Sequence, residues 1–118
     1  MDLKLEQPSP QQAVLYVSGR VDAQSSDGLK QAIKEAAERS VMHLVVNLQA
    51  VNVIDSSGLS ALVSGYKVMH ERGGQLALTG LGEQIKVALE LTRLNRVFPI
   101  YDDTADALAA GVPDGNEP

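Results

Sequence analysis

Cysteine is absent from the chain, which excludes a disulfide scaffold and thiolate metal sites. Tryptophan is absent too, and the aromatic complement is one Phe and three Tyr. Any core must therefore be aliphatic, and no set of rings is available on which successive nucleic-acid bases could stack. Positive charge is in short supply: ten Lys and Arg stand against fifteen Asp and Glu, a formal net charge of −5, with no basic run. Nucleic-acid affinity rests on neutralising phosphates, so neither DNA nor RNA is expected as a partner. No apolar run approaches the length of a membrane-spanning helix. The opening Met1-Asp2-Leu3-Lys4-Leu5-Glu6 places charges where a secretory signal needs an apolar stretch. These absences lead to the expectation of a soluble cytoplasmic protein that does not engage the membrane.

What is present suits one globular core, with 118 residues of which 44% are hydrophobic and 21% charged. Leu3 and Leu5 alternate with polar neighbours as in a short strand. Gln7-Pro8-Ser9-Pro10-Gln11 interrupts, and residues 13–18 resume as a second strand that Gly19 ends. Ser25, Ser26 and Asp27 are N-cap types ahead of a helix that turns Leu29, Ala32, Ile33 and Ala36 to one side. Residues 41–48 are almost continuously apolar and β-branched, the pattern of a strand buried on both faces. After 51–54, Leu59, Leu62, Val63, Tyr66 and Met69 recur at helical spacing, and Gly73-Gly74 stops that helix. A strand over 75–79, a helix from 83 to about 94, a strand over 98–101 and a helix over 104–110 complete the series. The order β-β-α-β-α-β-α-β-α predicts an α/β fold, a mixed and largely parallel sheet flanked by helices. One domain over 1–110 is expected, followed by a disordered tail over 111–118.

Catalytic chemistry finds little support in the residue list. His43 and His70 each lack a companion at ligand spacing, so no metal is expected. Ile54-Asp55-Ser56-Ser57-Gly58 lacks the first glycine of a hydrolase elbow, and Gly80-Leu81-Gly82 lacks the rest of a phosphate loop. Neither an enzyme nor a cofactor is expected. What remains is Asp55-Ser56-Ser57-Gly58, which joins a strand to the start of an amphipathic helix. Asp, Ser and Gly are favoured at helix N-caps for reasons unrelated to regulation. The same position suits phosphorylation, because unpaired N–H groups and the helix dipole there favour a negative group. A phosphate would add about 1.5 to 2 negative charges to an acidic surface and oppose docking of an apolar partner.

A wider set of stretches gives this motif its context: Ser18-Gly19-Arg20-Val21-Asp22-Ala23, then Leu44-Val45-Val46-Asn47-Leu48, then Val53-Ile54-Asp55-Ser56-Ser57-Gly58-Leu59-Ser60-Ala61-Leu62. Arg72-Gly73-Gly74, Leu78-Thr79-Gly80-Leu81, Leu89-Glu90-Leu91-Thr92-Arg93-Leu94 and Val97-Phe98-Pro99-Ile100-Tyr101 follow in order. With this ordered set the chain resembles the STAS domain, and within it the bacterial anti-sigma-factor antagonists. The resemblance implies a STAS-like sheet with about four helices and a partner-switching function. An unphosphorylated antagonist binds an anti-sigma factor that is also a serine kinase of the histidine-kinase-like ATPase fold, and so frees the sigma factor. Phosphorylation ends that binding, and a metal-dependent serine phosphatase restores it. By the same resemblance Ser56 is the phosphorylated residue and Ser57 its neighbour. Asp55 shapes the loop, Gly58 lets a partner backbone approach, and Asp22 lies beside the phosphosite. Arg20 stands where many members have Glu and Asn47 where many have Asp, departures that bear on which kinase is recognised. The alternative is a non-switching STAS subunit of a larger complex such as a lipid-transport system, with Ser56 only a helix cap. A monomer is the expected state.

Overall fold

The computed structural model describes residues 1–111, so residues 112–118 of the expected disordered tail lie outside the described residues. The elements are β1 (Asp2–Ser9), β2 (Gln12–Val21), α1 (Ser26–Glu38), β3 (His43–Ile54), α2 (Ser56–Glu71), β4 (Gln75–Thr79), α3 (Glu83–Leu91), a 3-10 turn (Leu94–Arg96), β5 (Ile100–Tyr101) and α4 (Thr104–Ala110). The strands form one sheet in chain order, β1-β2-β3-β4-β5. The β1–β2 hairpin is antiparallel and every later pairing is parallel. The mixed, largely parallel sheet with four helices is thus the fold class that the strand–helix alternation predicts.

Each crossover steps to the next strand in the same direction, and crossovers of one hand then leave their helices on one face. Leu29 and Ile33 of α1, Leu62 and Met69 of α2, and Ile85 and Leu89 of α3 all bury there. They pack against Leu44, Val46 and Leu48 of β3 and Leu76 and Leu78 of β4. A fully buried side chain of this size contributes about 1.5–3 kcal/mol, so this cluster carries most of the stability. The opposite face holds a smaller cluster, Val14 and Val45 beneath Ala107 of α4 with Tyr16, Tyr101 and Leu108 around them, and the buried Ala77 and Thr79 of β4 lie on this face beside β3. Burial of β3 on both faces therefore extends only as far as α4 reaches; Gln49 and Ala50 are exposed.

Several boundaries differ from the sequence expectation. β1 continues through Pro8 to Ser9 with a register skip after Glu6, because a proline costs no ladder bond on an edge strand. β2 runs through Gly19, whose φ of +90° accommodates the irregular pairing there, and ends at Val21. β3 is one strand of 12 residues that runs past the expected end at Leu48 to Ile54, with extra residues opposite β2 between Asn47 and Ala50 and between Val51 and Val53. α3 stops at Leu91; Arg93, with φ of +61°, turns the chain into the 3-10 turn, and β5 shrinks to Ile100–Tyr101. At α1 the expected caps make no side-chain cap bond. The Asp22 carboxylate takes the N–H groups of Gln24 and Ser25 instead.

Candidate functional site at the start of α2

The candidate site begins where β3 ends. The Asp55 N–H donates to Val21 C=O at 3.1 Å, which ties the loop after β3 to the end of β2. Asp55 is the N-cap: its backbone is extended and its Oδ1 accepts the N–H groups of Ser57 at 2.9 Å and Gly58 at 3.1 Å. Leu59 N–H then donates to Asp55 C=O at 2.9 Å, the first helical bond. Ser56 follows at the first helical position and is exposed. Among the described residues no hydrogen bond involves its hydroxyl. Two of the orphan N–H groups that would draw a phosphate are therefore already taken by a carboxylate.

Gly58 is buried, and the fold itself requires a glycine there. A Cβ there would lie 2.6 Å from Ile54 Cγ1 and 2.8 Å from both Val21 Cγ1 and Val21 O. This close approach comes from inside the protein, where α2 crosses the ends of β2 and β3.

Asp22 follows β2 directly, and Val21 is the register partner of Ile54, so the loops of Asp22 and Asp55 are neighbours at the same end of the sheet. The Asp22 carboxylate is used within its own loop. Its Oδ1 accepts from Gln24 N at 3.0 Å, Ser25 N at 3.3 Å and Ser25 Oγ at 3.2 Å, and Arg20 Nε lies 3.6 Å from Oδ2. Burial pushes its pKa up, but the Gln24 and Ser25 hydrogen bonds and the Arg20 charge outweigh it and leave the carboxyl below its ordinary value. Asn47, the other departure, is remote from this loop in its bonding: Nδ2 donates to Thr104 Oγ1 at 2.9 Å and Oδ1 accepts from Gln49 N at 2.9 Å.

Beside Ser56 runs a groove of roughly 430 Å³ between α2 and the end of α3, lined in part by Ser56, Leu59, Val63, Lys67 and Leu94. Close by, Leu91 is 81% exposed. The apolar stripe of α2 is thus divided: Leu62 and Met69 are fully buried, whereas Leu59 and Val63 are only partly so. Sequence periodicity did not distinguish these two sets, because the gap arises only where α3 ends early.

A model of the STAS domain matches residues 4–107. The chain belongs to the STAS domain family. The anti-sigma F factor antagonist of Paenibacillus polymyxa is 30% identical over 96 residues, 80% of this STAS chain and 82% of that protein. The crystal structure of an anti-sigma factor antagonist from Mycobacterium paratuberculosis superposes with a TM-score of 0.83 at 30% identity, over 93% of this chain and 92% of the other. SpoIIAA of Bacillus, solved in unphosphorylated and phosphorylated forms, has TM-scores of 0.71 and 0.73 over 92% of this chain and 96% and 97% of its own. At 16% identity that likeness is one of fold. The relatives of this STAS domain are thus named as regulators rather than enzymes. Among its described residues no helix is long and apolar enough to cross a membrane.

Proposed function

We propose that this STAS domain is an anti-sigma-factor antagonist switched off by phosphorylation of Ser56. In this reading the unphosphorylated chain binds an anti-sigma factor that is also a serine kinase of the histidine-kinase-like ATPase fold. The sigma factor is released, and a metal-dependent serine phosphatase later resets the phosphorylated chain. The observation that carries it is the exposed Ser56, held at the first turn of α2 on a groove where Leu59, Val63 and Leu94 lie among Ser60, Ser64, Lys67 and Thr92. Names of relatives that are 30% identical point the same way.

Charge supplies the mechanism. A phosphate adds about 1.5 to 2 negative charges at neutral pH. With the Ser57 and Gly58 N–H groups bound to Asp55, the helix terminus has little left to neutralise it. A partner seated on Leu59, Val63 and Leu94 would have to bury that charge unpaired, a cost of several kcal/mol. Binding is then lost without any change of fold. The side chain that caps α2 is Asp55, which favours the switch over a non-switching subunit in which Ser56 is only a helix cap.

The test compares wild type, Ser56→Ala and Ser56→Asp for binding to an anti-sigma factor captured from the native cells. Wild type and Ser56→Ala are expected to bind and Ser56→Asp to fail. Equal affinity of all three would sink the switch. Intact-mass spectrometry with fragment mapping over 53–66 then checks for the phosphate on Ser56 itself.

A further inference from the structure

β4 pairs with β3 only from His43 to Asn47, so the β4-facing edge of β3 beyond that point has no strand beside it. Because Asp55 N–H points towards β2, the N–H and C=O of Ile54 point the other way, to this unpaired edge. The Gln84 carboxamide meets both. Its Oε1 accepts the Ile54 N–H and its Nε2 donates to the Ile54 C=O, each at 3.4 Å. A carboxamide offers an acceptor and a donor as a peptide group does, so Gln84 stands in for the missing strand neighbour. The Ile54 side chain is confined as well, beneath Gly58. The residue before Asp55 is therefore held through its backbone by α3 and through its side chain by α2.

We propose that Gln84 is a positioning residue for the Ser56 loop, setting the height at which Asp55 caps α2 and coupling α3 to the phosphoacceptor. What the loop does rests on the function proposed above; that Gln84 holds it does not. Gln84 is itself exposed, and α3 is anchored through the buried Ile85 and Leu89, so its bonds are separable from the core. At 3.4 Å both are at the long end of hydrogen bonding, a hold that a small shift of α3 tightens or releases.

Amide hydrogen exchange by NMR on the full chain tests this with Gln84→Met, Gln84→Glu and a Lys86→Ala control. Gln84→Met keeps the length and apolar stem but makes neither bond; Gln84→Glu keeps the acceptor for Ile54 N–H. In Gln84→Met the Ile54 amide is expected to exchange about tenfold faster, with Ser57 and Gly58 following, while Val45 and Val46 keep their protection. Gln84→Glu, which keeps the acceptor but replaces the donor to the Ile54 C=O by a second oxygen, should restore Ile54 only in part, and Lys86→Ala should match wild type. Wild-type exchange at Ile54 in Gln84→Met, or a uniform acceleration that includes Val45 and Val46, overturns the proposal. Phosphate occupancy of Ser56 in native cells separates the two readings. Its absence from wild type counts against the switch, whereas the exchange rates alone decide whether Gln84 holds the loop.

Discussion

At the scale of the residue, neighbouring polar side chains carry separate tasks. Asp55 caps α2 while Ser56, one position on, spends nothing on the fold. Asp55→Ala is accordingly expected to lower stability by about 1 kcal/mol, and Ser56→Ala to stay within about 0.5 kcal/mol of wild type, both read from denaturant unfolding. His43 offers a second test. It is fully buried, its Nδ1 meets Gln12 Nε2 at 3.4 Å, and its Nε2 has no partner among the described residues. Burial holds the imidazole pKa below its ordinary 6.5. As pH falls through that value the unfolded chain takes up the proton first, so the folded state loses stability until its own imidazole titrates. Above it both states are neutral and the effect vanishes. The melting temperature should fall between about pH 7 and about pH 5, and less so in His43→Gln. Asp22, whose pKa is lowered from 3.8, acts in a separate window: its stabilisation is present above that value and fades only at lower pH.

At the scale of the element, glycines show which contacts position α2. Gly28, in the first turn of α1, would bring a new Cβ to ordinary contact distance, 3.5 Å from the flexible end of Met1. Gly28→Ala should stabilise by about 0.5–1 kcal/mol through helix propensity and a less entropic unfolded chain. Gly58→Ala gains the same term but drives its Cβ to 2.8 Å from the Val21 backbone oxygen, which cannot swing away. Overpacking of about 1–3 kcal/mol then outweighs a propensity gain of about 1 kcal/mol, and the variant should be less stable. Thermal melts of the two variants side by side check the opposite signs. The long β3 belongs to this scale too. Its two irregular pairings with β2 carry the strand end, and with it Asp55 and Ser56, beyond the reach of β4 and up to Gln84.

At the scale of the whole molecule, both edges of the sheet discourage addition of further strands. β1 carries Lys4, Glu6 and Pro8, with Lys4 Nζ 3.4 Å from Glu6 Oε2, and β5 is only two residues long. A monomer of 12.6 kDa is the expected state in light scattering, and a concentration-dependent dimer would show that one of these edges, or the exposed Leu91, is in use.

Local pattern in the sequence determined a good deal by itself. The periods of two and of three to four residues sorted strands from helices in the right order, and Asp55-Ser56-Ser57-Gly58 marked the start of α2, because both signals live within a turn or two of chain. Which side of α2 lies open, why Gly58 must be small, and what holds Ile54 were decided only by the tertiary structure. Those features join residues far apart in sequence: Gln84 to Ile54 across 30 positions, and Asn47 of β3 to Thr104 of α4 across 57. A short-range periodicity carries no record of such meetings, since they depend on where each strand stops and which helix is then brought over its end.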